Sequence, residues 1–143
     1  MKLAKTSMFV LLGLLLLSGN VFAGKKEVPK FIDGTVKVSA EEMIELVEAS
    51  PNLVILDSRK ASDFQKGFIE GAISLPNTET DAGSLAKHLK SKSTPVVFYC
   101  NGIKCGRSVK AAEIALAAGY SKIYWFRGGM EEWEAKGLPV VHP

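Results

Sequence analysis

Two unbroken apolar runs, Leu53-Val54-Ile55-Leu56 and Val96-Val97-Phe98-Tyr99, constrain this chain more than any other feature. A strand with one face in water alternates apolar and polar side chains. A run with no polar member therefore predicts a strand covered on both faces, as in a parallel sheet between two layers of helices. The first run is closed by Asp57, and the second, opened by Thr94-Pro95, ends directly on Cys100. Residues 35–38 and 122–126 read as two further strands, the latter counted as the fourth. Ser39 and Glu42 have the spacing of a capping box, so a helix is expected from there to about Ala49, burying Met43, Leu46 and Val47. Another is expected from about Arg107, with Val109, Ala112 and Leu116 on one face and Gly119 as its stop; a short one follows over residues 130–136. Strands alternating with helices at these lengths imply an α/β fold, a central parallel sheet with helices on both faces.

At 143 residues and 47% apolar content there is material for one domain. Its first 23 residues read as an address. Lys2 and Lys5 precede the apolar run from Met8 to Leu17, and Val21-Phe22-Ala23 supplies the small residues a signal peptidase accepts. Ten helical residues rise about 15 Å, roughly half of a hydrocarbon core, which disfavours a spanning anchor. Cleavage after Ala23 is expected, leaving a charged, Pro-bearing flexible lead-in over residues 24–34 and a domain over residues 35–143. The product would be periplasmic or secreted, free of the membrane once cleaved. Without Lys2 and Lys5 the formal charge of +3 falls to +1, and no basic stripe with interleaved aromatics exists, so nucleic acid is not an expected partner.

In an oxidising compartment the cysteine count is informative. There are two, Cys100 and Cys105, in one short loop. A structural staple across so few residues constrains little of the unfolded chain, which favours redox or nucleophilic chemistry. Ligands of open parallel sheets bind at the carboxyl ends of the strands, where Cys100 stands. The residues after it, Asn101, Gly102, Ile103, Lys104, Cys105, Gly106 and Arg107, run from strand end to helix start, with two glycines and free amides. They read as an anion cradle with a thiol at its edge. The helix N-terminus, Lys104 and Arg107 would favour the thiolate of Cys100. A buried strand-end cysteine beside a basic helix cap explains the same residues equally well. His88, on a helical stretch, and His142, in the tail, have no metal-ligand spacing to the cysteines, and Trp125 and Trp133 read as packing residues.

Four stretches in order change that balance: Leu56-Asp57-Ser58-Arg59; Gly67-Phe68-Ile69-Glu70-Gly71-Ala72-Ile73-Ser74-Leu75-Pro76; the Cys100 loop; and Gly128-Gly129-Met130-Glu131-Glu132-Trp133 through Gly137-Leu138-Pro139. Together they resemble the signatures of a single-domain rhodanese, over about residues 36–140. The resemblance implies a three-layer sulfurtransferase domain in which a Cys100 thiolate takes sulfane sulfur from a small inorganic donor such as thiosulfate or polysulfide. The persulfide then passes its outer sulfur to a thiol, to cyanide or to an acceptor protein, with no metal or organic cofactor. It also implies that Asp57 and Arg59 brace the active loop.

This chain departs from the family pattern in places. Cys105 stands where the short rhodanese loop often has Arg or Thr, and Arg107 follows two positions later. Phosphatases of the same fold separate Cys and Arg by five residues, whereas six lie between Cys100 and Arg107, which weakens a phosphatase reading. Phe68 replaces a frequent His and Glu70 a frequent Pro. Cys105 is a candidate resolving thiol, able to attack a Cys100 persulfide or an oxidised Cys100 to give a reversible disulfide. A disulfide needs Cα atoms within about 7 Å, which a loop wrapped around an anion can prevent. Besides sulfur transfer, two other functions are consistent with these residues: a thiol-disulfide redox module using both cysteines, and a sulfur-carrying binding module without turnover.

Overall fold

Strand and helix alternate along the chain in the computed structural model, which describes residues 27–143. The expected leader over residues 1–23 and the first residues of the lead-in lie outside the described residues. The elements are β1 (Val36–Val38), α1 (Ala40–Ala49), β2 (Val54–Asp57), α2 (Ala61–Phe64), β3 (Ala72–Ser74), α3 (Ala82–His88), β4 (Val96–Tyr99), α4 (Arg107–Ala117), β5 (Ile123–Phe126) and α5 (Gly129–Ala135). All five strands pair in parallel, in the order β1-β5-β4-β2-β3.

The two apolar runs are the inner strands β2 and β4, and every residue of β4 is fully buried. Pleat alternation divides their side chains between two cores. Leu56, Val96, Phe98, Ile123 and Trp125 pack with Leu85 of α3 and with Val109, Ala112 and Ala115 of α4. Ile55, Val97, Tyr99 and Phe126 pack with Met43 of α1 and with Met130 and Trp133 of α5 on the other face. The result is the expected three layers. The capping box forms as well: Ser39 Oγ accepts from Glu42 N–H, and a Glu42 carboxylate oxygen accepts from Ser39 N–H at 2.7 Å.

Four expectations are corrected. The sheet has a fifth strand, β3, whose three residues Ala-Ile-Ser are too short to carry a periodic signal. The segment read as a flexible lead-in is packed: Ile32 is buried against the α4 core, and the Pro29 carbonyl accepts from Arg127 Nε at 3.0 Å. Val47 is 45% exposed rather than buried, because α1 packs through Ala40 and Met43 in its first turns, on a sheet edge only three residues long. The last helix starts one residue early, at Gly129.

Candidate active site

The central strand β4 delivers Cys100, 2% exposed, to the carboxyl edge of the sheet, and the following loop leads into the N-terminus of α4 at Arg107. Cys100 and Cys105 are joined by a disulfide, with their Cα atoms 6.2 Å apart. A tight turn achieves this: the N–H of Cys105 donates to the carbonyl of Gly102 at 3.0 Å. The cradle expectation left open whether the two sulfurs could meet, and in the structure they do. Among the described residues, the amides of Asn101, Gly102, Ile103, Lys104 and Gly106 donate to no protein acceptor, and the Glu131 carboxylate lies against Gly102.

The base of the loop is held from below by α5. Met130 N–H donates to the Cys100 carbonyl at 3.0 Å and Glu131 N–H to the Asn101 carbonyl at 2.8 Å, so the first amides of that helix satisfy the loop's first two carbonyls. Only glycine at position 129 permits the approach. Gly129 has φ +55°, and a Cβ there would collide with the Cys100 carbonyl. The first turn of α4 is fixed too, since Trp125 Nε1 donates to Ser108 Oγ at 3.0 Å. Neither contact was foreseen. Both depend on which residues adjacent elements bring opposite one another.

The two cations expected at the cradle differ in placement. Arg107 is half-buried, and its Nη1 donates to Asn77 Oδ1 at 3.3 Å, beside the strand ends. Lys104 is exposed on the outer turn of the loop, next to Ile103, which is 49% exposed.

Asp57 and Arg59 form a buried unit on the opposite face of the sheet from Leu56 and Phe98. Both Asp57 oxygens accept from the Arg59 side chain, the shortest contact being Nη2 to Oδ2 at 2.6 Å, and Arg59 Nη2 also donates to the Gly67 carbonyl at 2.8 Å. Tyr99, the residue before the cysteine, donates its hydroxyl to Asp57 Oδ2 at 2.7 Å. The pair thus ties the end of β4, directly before Cys100, to the turn at Gly67. Burial, reinforced by the Asp57 carboxylate, raises the Tyr99 pKa far above its ordinary value and keeps the phenol neutral. Burial alone would lower the Arg59 pKa, but its hydrogen bonds and charge pairing with Asp57 raise it overall. Tyr99 is the member of this trio that sequence reasoning missed. Its register with Asp57 across β2 and β4 is a property of the sheet.

Ser58 follows Asp57, and Cys100 follows Tyr99, each one residue past the end of its strand. Ser58 N–H donates to the Tyr99 carbonyl at 2.9 Å. Ser58 is fully buried, and its Oγ is the one buried side-chain oxygen or nitrogen without a hydrogen-bond partner among the described residues. An unpaired buried hydroxyl costs about 1–3 kcal/mol. Ser58→Ala is therefore expected to raise the urea unfolding midpoint by the equivalent of about 1 kcal/mol. A fall of that size would mean that the hydroxyl has a partner in solution.

The family model "Rhodanese-like domain" matches residues 39–136. The protein YibN of Escherichia coli (strain K12) is 30% identical over 89 residues, 62% of this chain; the match spans 60% of YibN's length. The thiosulfate:glutathione sulfurtransferase of Saccharomyces cerevisiae is 27% identical over 129 residues, covering 82% of this chain and 91% of that one. Among solved structures, a thiosulfate sulfurtransferase from Pseudomonas aeruginosa superposes with a TM-score of 0.66 at 27% identity, covering 76% of this chain and 20% of that one.

Proposed function

The chain belongs to the rhodanese-like family, and on that premise we propose that it is an exported sulfurtransferase whose reduced Cys100 carries sulfane sulfur. The observation that carries this reading is the place of Cys100: at the end of the central strand, opening a loop whose amides, Cys105 apart, have no protein acceptor and which leads into the N-terminus of an eleven-residue helix. Those dipoles favour a thiolate over a thiol and an anionic donor over a neutral one. With thiosulfate as donor, the Cys100 thiolate attacks the outer sulfur, the S–S bond of the donor breaks and sulfite leaves with the bonding pair. An acceptor nucleophile then attacks the outer sulfur of the persulfide and returns Cys100 as thiolate. The yeast relative, named for thiosulfate and glutathione, supports an anionic donor and a thiol acceptor here. Export rests on the leader-like residues 1–23.

The oxidised pair favours a second reading, a thiol-disulfide redox module. Kinetics separate the two. The reduced protein is expected to form thiocyanate from thiosulfate or polysulfide and cyanide; a redox module with no sulfur transfer forms none. In the same assay Arg107→Ala is expected to raise the KM for thiosulfate about tenfold with a smaller change in kcat, as for a contact made equally in ground and transition states. Unchanged kinetics would leave the loop amides as the whole cradle.

A further inference from the structure

The Cys100–Cys105 disulfide is the two-electron oxidised form of a thiol pair. We propose that this domain reduces sulfane sulfur to sulfide, with Cys105 as the resolving thiol and an external dithiol as the source of electrons. The proposal rests on the sulfurtransferase reading of Cys100 and adds a second fate for its persulfide.

Cys105 reaches Cys100 because of how the loop is held. The first two loop carbonyls are pinned to α5, so Cys100 stays in place, while the turn at Gly102 folds Cys105 back to a Cα separation of 6.2 Å, inside the range a disulfide spans. In the reduced protein loaded with sulfur, the Cys105 thiolate attacks the Sγ of Cys100. The Cys100–Cys105 bond forms, the bond from Cys100 Sγ to the outer sulfur breaks, and that sulfur leaves as the hydrogen sulfide ion. If Cys105 instead takes the outer sulfur first, attack of Cys100 on Cys105 Sγ gives the same two products. The sulfane sulfur gains two electrons and the two thiols lose them.

The asymmetry of the pair also assigns the return step. Cys100 is 2% exposed whereas Cys105 is half-buried, so an incoming dithiol meets Cys105. Attack there expels the Cys100 thiolate on the buried side of the pair. The second thiol of the reductant then resolves the mixed disulfide and frees Cys105. A donor that supplies sulfur and a dithiol that supplies electrons together make a cycle that consumes polysulfide or thiosulfate and yields sulfide.

The test is a single turnover. Protein is reduced, the reductant is removed, and one equivalent of thiosulfate is added. Sulfide is trapped with a fluorogenic alkylating reagent and the protein is weighed intact. The wild type is expected to release about one equivalent of sulfide and to end as the disulfide. Cys105→Ser is expected to gain the mass of one sulfur atom and to release less than about a tenth as much sulfide. A wild type that keeps its persulfide and releases no sulfide would overturn the proposal while leaving sulfur transfer intact. If neither protein ever gains a sulfur, the sulfurtransferase reading fails and sulfide release fails with it.

Discussion

Cys100→Ser is expected to lower thiocyanate formation by the reduced protein by on the order of a thousandfold or more, because it removes the atom to which sulfur is transferred rather than a group that assists the transfer. A serine hydroxyl is far harder to ionise than a thiol, and an oxygen nucleophile is poorly matched to sulfane sulfur. The fold should be unaffected, since Cys100 is small and its backbone carbonyl keeps its bond from Met130. Circular dichroism unchanged from the wild type, together with the lost activity, is the expected pair of results. Activity retained within about tenfold would move the chemistry elsewhere in the loop.

The largest effect on stability is expected from Asp57→Ala. That substitution leaves the Arg59 guanidinium charged and 5% exposed with only the Gly67 carbonyl as partner, and it leaves the Tyr99 hydroxyl without its acceptor. Breaking a buried pair by removing one partner costs about 3–5 kcal/mol, a large share of the roughly 5–15 kcal/mol that holds a domain together. Urea denaturation should show the midpoint falling accordingly with an unchanged slope. Replacing both members, as Asp57→Ala with Arg59→Met, is expected to cost less than Asp57→Ala alone, because no charge is then left buried. A single variant within about 1 kcal/mol of wild type would show that water reaches Arg59 and solvates it.

The parts of this architecture legible in the chain are those written in local pattern. Strands β2 and β4 announce themselves as unbroken apolar runs, α1 by its capping box and α4 by its apolar spacing and Gly119, which has φ +89°. Cys100 is placed at the strand end by simple adjacency. The parts that were not legible depend on non-local encounters. Strand β3 is recognisable only by its register with β2, where Ile55 faces Ala72 and Asp57 faces Ser74. Ile32 is one apolar residue among charged ones, and its burial is decided by α4 passing above it. Tyr99 looks like any aromatic of a buried strand until the register sets it opposite Asp57. Gly129 belongs to a recognised motif, but its necessity comes from the Cys100 carbonyl against it. The spacing of Cys100 and Cys105 permitted either separation or a bond, and the choice is made by the turn at Gly102.

In the proposed cycle sulfur resides on Cys100, and residue-level mapping of the persulfide checks that placement. Reduced Cys105→Ser and Cys100→Ser proteins are each given one equivalent of thiosulfate, alkylated to trap any persulfide, digested and sequenced by mass spectrometry. A trapped persulfide is expected on Cys100 in the first protein and none in the second. A persulfide on Cys105 of the Cys100→Ser protein, with sulfur transfer intact, would contradict it.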